Sequence, residues 1–258
     1  MNLVLDIGNT FAKFYAFDGD RPVGVMKSEG GDLVGLSGFV DKWRPCVGIL
    51  STVCDLSKRA RQELALLPCR LTELTPATPL PIENDYTTPS TLGSDRIATI
   101  VGAWSLEPGR DILVIDAGTC ITYDLIRSDS HYIGGNITPG IDMRLRAMHH
   151  FTSRLPLVVP DGDTPPFGYN TETALRSGAV RGAAMEAQSI IAYVRGAMPD
   201  SLVYLTGGGA ARLKEYITVP CLTDDLLTAR GLNHILRHNT PAAARSAQPS
   251  STHASTSL

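Results

Sequence analysis

The stretch Asp6-Ile7-Gly8-Asn9-Thr10-Phe11-Ala12-Lys13 gathers a carboxylate, a glycine, an amide, a hydroxyl and an amine. Glycine lets an oxyanion approach the backbone, successive N–H groups can aim at it, and Asn9 and Thr10 add donors. Asp6 can hold a divalent ion, directly or through a water of its shell, against phosphates. Lys13 can reach back as a point charge. The same residues are also good turn material between two strands, and alone the stretch needs no more than that. No GxxxxGK[ST] loop occurs anywhere in the chain.

The stretch has an echo 110 residues on. Leu3/Leu113, Val4/Val114, Asp6/Asp116 and Gly8/Gly118 are identical, and Leu5/Ile115 is a close match. An Asp-x-Gly at the end of each apolar strand points to an internal duplication. Leu205-Thr206-Gly207-Gly208-Gly209 adds a glycine-rich strand-to-helix turn that can admit a flat base or ribose against backbone. On its own that turn is explained by tight packing at a helix start. The two hairpins and the turn together point to ATP in an interdomain cleft.

Thr91-Leu92-Gly93-Ser94-Asp95-Arg96 supplies the acceptor side. Asp95 and Arg96 open a helix, where the dipole favours an anion and backbone donors are free. The planar fork of Arg96 can bind a carboxylate, and Asp95 can take a proton from a hydroxyl. Ser94 or Asp95 serving as a simple helix cap accounts for the same residues.

The elements that must position these groups follow from periodicity. Apolar runs at 2–7 and 11–17 form a hairpin, and Val47–Val53 is a buried strand. Helices are expected over 32–43, 55–67 (capped by Asp55 or Ser57), 94–106, 141–153, 172–196 and 224–237. Residues 75–92, rich in Pro and Thr, are irregular. The chain is thus α/β, with a first domain over 1–110, a second over 111–239 and a disordered tail over 240–258. That tail holds too little apolar surface to offset its ordering entropy.

Bulk composition narrows the function. A net charge of -3 and a pI near 6.1 leave no basic footprint for nucleic acid and no polybasic membrane patch. No signal segment or apolar run long enough to span a bilayer is present. Five scattered cysteines without a CxxC read as reduced thiols, and no spacing among the six histidines and the cysteines fits a zinc site. The adjacent His149 and His150 are expected on the surface.

The set DIGNT, GSDR, DAGT, GGNITPGI, NTETALRSG and TGGG, in this order over residues 1–236, resembles the type III pantothenate kinases. That resemblance implies two duplicated ribonuclease H-like domains of the actin/sugar-kinase type around an interdomain nucleotide cleft. It implies that Asp6 to Lys13 forms the first phosphate loop, with Asp6 near Mg²⁺. Asp116 would hold the monovalent cation, K⁺ or NH₄⁺, and Thr119 would contact ATP. Gly93, Ser94, Asp95 and Arg96 would bind pantothenate, with Asp95 as general base and Arg96 on the carboxylate. Tyr86 and Thr171 match substrate-contacting positions, with Thr173 an alternative to Thr171. Gly207, Gly208 and Gly209 would lie by the adenosine. A cytoplasmic homodimer is implied, with the second subunit closing the pantothenate site. Cys120 stands where the family usually has a small residue such as Ala. Two rivals use the same residues: a two-metal nuclease on Asp6, Asp95 and Asp116, and an ATP-binding regulator. The acidic pI opposes the first, and the intact Asp95 and Arg96 oppose the second.

Overall fold

A computed structural model of the chain describes residues 1–8, 11–29 and 32–241. Asn9, Thr10 and the tail expected from 240 onward, beyond Pro241, therefore lie outside the described residues. The chain divides into two compact units, Met1–Pro81 with the segment from Leu232 onward, and Ile82–Gly231.

The first unit is built on β1 (Asn2–Ile7), β2 (Phe11–Asp18), β3 (Arg21–Glu29), β4 (Val47–Thr52) and β5 (Arg70–Glu73) in the order β3-β2-β1-β4-β5. β1 runs antiparallel to β2 and parallel to β4, and β4 runs parallel to β5. Leu3, Leu5 and Ile7 alternate onto one face, where Phe14, Leu36, Phe39, Val40 and Leu50 complete a core. Helices α1 (Leu36–Trp43) and α2 (Lys58–Ala65) contribute to that core. Of the two caps expected for α2, Ser57 is the one used, accepting from the Ala60 amide at 3.1 Å. The chain returns to this unit through the buried Asn233. That side chain accepts from Asn2 at 2.8 Å and donates to the Gly19 carbonyl at 2.9 Å.

The second unit carries β6 (Glu83–Asn84), β7 (Ile112–Ala117), β8 (Cys120–Ile126), β9 (His131–Pro139), β10 (Leu202–Thr206) and β11 (Leu222–Thr223). Their order is β11-β10-β7-β8-β9-β6. Read from β9, the run β9-β8-β7-β10-β11 repeats the β3-β2-β1-β4-β5 of the first sheet, strand for strand, with β6 added at the edge. β7 is antiparallel to β8 and parallel to β10, as β1 is to β2 and β4. The duplication suggested by the two Asp-x-Gly stretches is thus repeated in topology.

Helices α3 (Ser94–Leu106), α4 (Ile141–His150), α5 (Thr171–Ala197) and α6 (Ala210–Lys214) belong to this unit, and α7 (Leu227–His238) runs across the division at Gly231. α5 buries a stripe of Ala179, Val180, Ala183, Ala184, Ala187 and Ile191. α3 and α7 touch backbone to backbone. A Cβ on Gly102 would lie 2.0 Å from the Leu227 carbonyl oxygen, and one on Gly231 1.7 Å from that of Ala98.

The division does not fall near residue 110. α3 packs with the second sheet, and two contacts explain why: Glu83 pairs with His131 in a parallel ladder, and Arg96 pairs with Asp124 on β8. The acceptor motif at 93–96, grouped by the sequence with the first half, is therefore part of the second unit. The strands β3, β5, β6, β9 and β11 lie outside the elements expected from periodicity. Among the described residues, no helix is long and apolar enough to cross a membrane. His149 and His150 are both exposed.

Candidate active site

In the first hairpin, the Gly8 amide donates to the Phe11 carbonyl at 3.0 Å. Antiparallel register places Asp6 directly opposite Lys13, so both side chains rise from one face. Ile7 and Ala12 are buried beneath them, while Asp6, Gly8 and Lys13 are half-buried. The segment after β4 leans on this turn, with the Val53 amide on the Ile7 carbonyl at 3.2 Å and the Cys54 thiol 3.8 Å from that of Gly8. Phe11 faces Lys27, whose ammonium lies 3.4 Å from the ring centre.

The second hairpin is tighter by one residue: the Gly118 amide donates to the Cys120 carbonyl at 2.9 Å. Asp116 stands opposite Thr122, and Gly118 and Thr119 are exposed. The Gly207–Gly209 turn packs against it. Gly207 has φ +88°, and a Cβ there would lie 2.3 Å from Asp116 Oδ1. The Gly209 amide donates to the Ala117 carbonyl at 2.8 Å. Only glycine satisfies both the backbone angle and this approach. Asp116, Thr119 and the three glycines, separated by some ninety residues in sequence, therefore share one end of the sheet. Beside Gly208 opens a cavity of about 310 Å³, also lined by Asp161, Thr164, Val180, Arg212 and Tyr216. Its walls are tied: Arg212 to Asp161 at 2.5 Å, Thr164 to the Tyr216 hydroxyl, and Arg181 stacked over Tyr216.

The acceptor motif begins α3. Gly93 is the capping residue, without a side-chain bond, and Asp95 Oδ1 accepts from the Arg96 amide at 2.8 Å. The cap position is thus Gly93 rather than Ser94 or Asp95, while the Asp95 carboxylate satisfies one amide of the first turn. Arg96 has an internal partner. It is 5% exposed, and its Nη2 and Nε donate to Asp124 Oδ1 at 2.6 and 3.0 Å. Tyr132 donates to the same oxygen at 2.7 Å. Burial works against the guanidinium charge, but Asp124 outweighs it and holds Arg96 charged above its usual range. The Nε and Nη2 edge of the fork thus meets an internal carboxylate. Tyr86 stacks on Tyr132 with ring centres 6.2 Å apart, and Arg96 lies 5.6 Å from the Tyr86 ring centre.

A family model described as type III pantothenate kinase matches residues 2–193. A type III pantothenate kinase of Phocaeicola vulgatus is 42% identical over 239 residues, covering 93% of this chain and 99% of that one. The chain belongs to the type III pantothenate kinase family. Among solved structures, a Campylobacter jejuni protein described as a Baf family transcriptional activator is similar with a TM-score of 0.60 at 24% identity, covering 92% and 98% of the two chains. A Sinorhizobium meliloti protein described as a 2-dehydro-3-deoxygalactonokinase gives 0.55 at 14% identity, covering 93% and 100%. These likenesses show the fold, two duplicated ribonuclease H-like domains of the actin/sugar-kinase type.

Within this pantothenate kinase family member, Tyr86, Gly93, Ser94, Asp95 and Arg96 are brought together in the second unit, and so are Asp116, Thr119 and Gly207–Gly209. At the start of α5 the two candidate threonines separate. Thr173 is buried and spends its hydroxyl in a capping box with Asn170, whereas Thr171 is exposed at the first helical position. Asp124 and Tyr132 were missed from sequence. The available signal was the single charge inside the apolar strand Cys120–Ile126, because a buried carboxylate requires a partner.

Proposed function

We infer that this chain transfers the γ-phosphate of ATP to the 4′-hydroxyl of pantothenate, the first step of coenzyme A biosynthesis. The observation that carries the reading is the 42% identity to a type III pantothenate kinase over nearly all of both chains. Phosphoryl transfer asks mainly for positioning and charge neutralisation, and the site residues divide along those lines.

Asp95, at the first turn of α3, orients the hydroxyl and takes its proton as oxygen attacks phosphorus. Tyr86, Gly93, Ser94 and Thr171 contact pantothenate. Arg96 contributes chiefly through position: its pair with Asp124 fixes the turn that carries Asp95. Lys13 and the amides of the Asp6–Lys13 hairpin meet the phosphates, Thr119 contacts ATP, and the nucleoside lies by Gly207–Gly209 and the adjoining cavity. The half-buried Asp6 and Asp116 offer hard oxygen donors at strand ends, which suits Mg²⁺ at Asp6 and K⁺ or NH₄⁺ at Asp116. Those cations, when bound, neutralise phosphate charge.

The enzyme acts as a cytoplasmic homodimer, with Thr171 reaching the partner's pantothenate site. Exposed Phe151, Phe167, Tyr169, Met185 and Tyr193, all on the second unit, support self-association. The test is direct: protein with Mg-ATP and pantothenate, with and without potassium, assayed for ADP and phosphopantothenate. Potassium-stimulated formation of both is expected. Absence of turnover under every cation would overturn the reading, and potassium-independent turnover would remove the role given to Asp116.

A further inference from the structure

Two cysteines at the end of the first sheet remote from Asp6 stand side by side. β4 and β5 are parallel, with Val47 beside Arg70, and Cys46 and Cys69 are the residues that immediately precede this first pair of the ladder. Cys46 is still held in the sheet, its amide donating to the Met1 carbonyl at 2.9 Å. Continuing the strand alternation by one residue gives Cys46 the face of Gly48 and Leu50, and Cys69 packs against the same core as Leu71. These are one face, because a Cβ on Gly48 would lie 2.9 Å from Leu71 Cδ1. Adjacent strands lie about 4.8 Å apart, inside the Cα separation of roughly 4.4–6.8 Å that a disulfide spans.

The two thiols are not equivalent. Cys46 is exposed and Cys69 half-buried against the core. Burial pushes the Cys69 thiol up, and the neighbouring Cys46 pushes it the same way, so the two groups sense each other.

We propose that Cys46 and Cys69 form a reversible thiol–disulfide site that reacts with low-molecular-weight disulfides. The Cys46 thiolate attacks one sulfur of the small disulfide, forming a mixed disulfide and releasing one thiolate. Cys69 then loses its proton to solvent and attacks Cys46 Sγ, expelling the second thiolate. Two protein thiols are oxidised, and one small disulfide is reduced to two thiols. The product ties the edge strand β5 onto its neighbour β4. Asp6 pairs beside Ser51, five residues and about 16 Å further along the sheet, so the exchange leaves the phosphate hairpin untouched.

The test incubates the full chain with glutathione disulfide, alkylates, digests and maps the cysteines by mass spectrometry. A Cys46–Cys69 linked peptide is expected, with Cys54, Cys120 and Cys221 still alkylated and the link reversed by dithiothreitol. In Cys69→Ser, glutathione accumulates on Cys46 several-fold over wild type, because the resolving thiol is gone. Equal glutathione on Cys46 in both proteins, or both thiols remaining alkylatable in the wild type, would overturn the proposal.

Discussion

Asp95 and Arg96 are adjacent in sequence and differ in what they face. Asp95 sits half-buried at an accessible helix start, while Arg96 turns inward to Asp124. Asp95→Asn keeps the shape and the amide contact but removes the proposed base, so turnover is expected to fall by about 10²–10⁴-fold. ATP binding, followed by titration calorimetry, stays near wild type; an unchanged rate refutes the assignment. Breaking the buried pair has a different signature. Arg96→Met or Asp124→Leu alone strands a charge and costs about 3–5 kcal/mol in urea unfolding. The double replacement costs much less than the sum of the two, because no unpaired charge remains. Strict additivity would show that the pair does not hold α3 in place.

At the scale of elements, two glycines in helices have opposite roles. Gly231→Ala forces a methyl into the Ala98 carbonyl where α7 crosses α3, and costs more than the roughly 1–3 kcal/mol of ordinary overpacking. Gly182→Ala, in the middle of α5 with open space around it, stabilises by about 0.5–1 kcal/mol. Thermal melts of the two variants should therefore move in opposite directions. A polar network also ties α4 and α5 to the sheet: Glu186 accepts from Tyr123 at 2.9 Å, Thr138 at 2.7 Å and Arg144 at 2.8 Å. Burial opposes the charge on Glu186, but Arg144 and the two hydroxyls outweigh it, so the carboxyl lies below its usual value. Its stabilising contribution is therefore complete above the unfolded glutamate range and is lost as pH falls through the lower folded value. Glu186→Gln should flatten the acid limb of a melting-temperature profile; an unchanged limb would show that the network contributes nothing there.

For the whole molecule, the repeated strand order says that two copies of one plan diverged at their edges. Only the second copy gained β6, and with β6 came α3 and the acceptor motif. The exposed apolar side chains are also unequally shared, with Phe151, Phe167, Met185 and Tyr193 all on the second unit. Sedimentation at micromolar concentration should give twice the mass of 27.6 kDa. Phe167→Ser with Tyr193→Ser should shift the protein toward monomer and, if Thr171 serves the partner, raise KM for pantothenate more than it lowers kcat.

What could be read along the chain was local. Alternation and turn chemistry gave both hairpins, since Asp6 and Asp116 end apolar strands in matching frames. Helical spacing gave α3 and α5 within a residue or two, and the ordered motif set gave the family. Edge strands such as β3 and β5 were not legible, because a partly solvated strand carries a mixed pattern that only its ladder partner disambiguates. The same limit applied at the site. Whether a guanidinium meets a substrate or an internal carboxylate depends on which strand lies beneath it, and Arg96 and Asp124 are twenty-eight positions apart. Sequence by itself determined the residue types able to handle phosphate and a hydroxyl. Tertiary structure alone decided which of them are buried with partners, because desolvation and pairing are properties of neighbours in space.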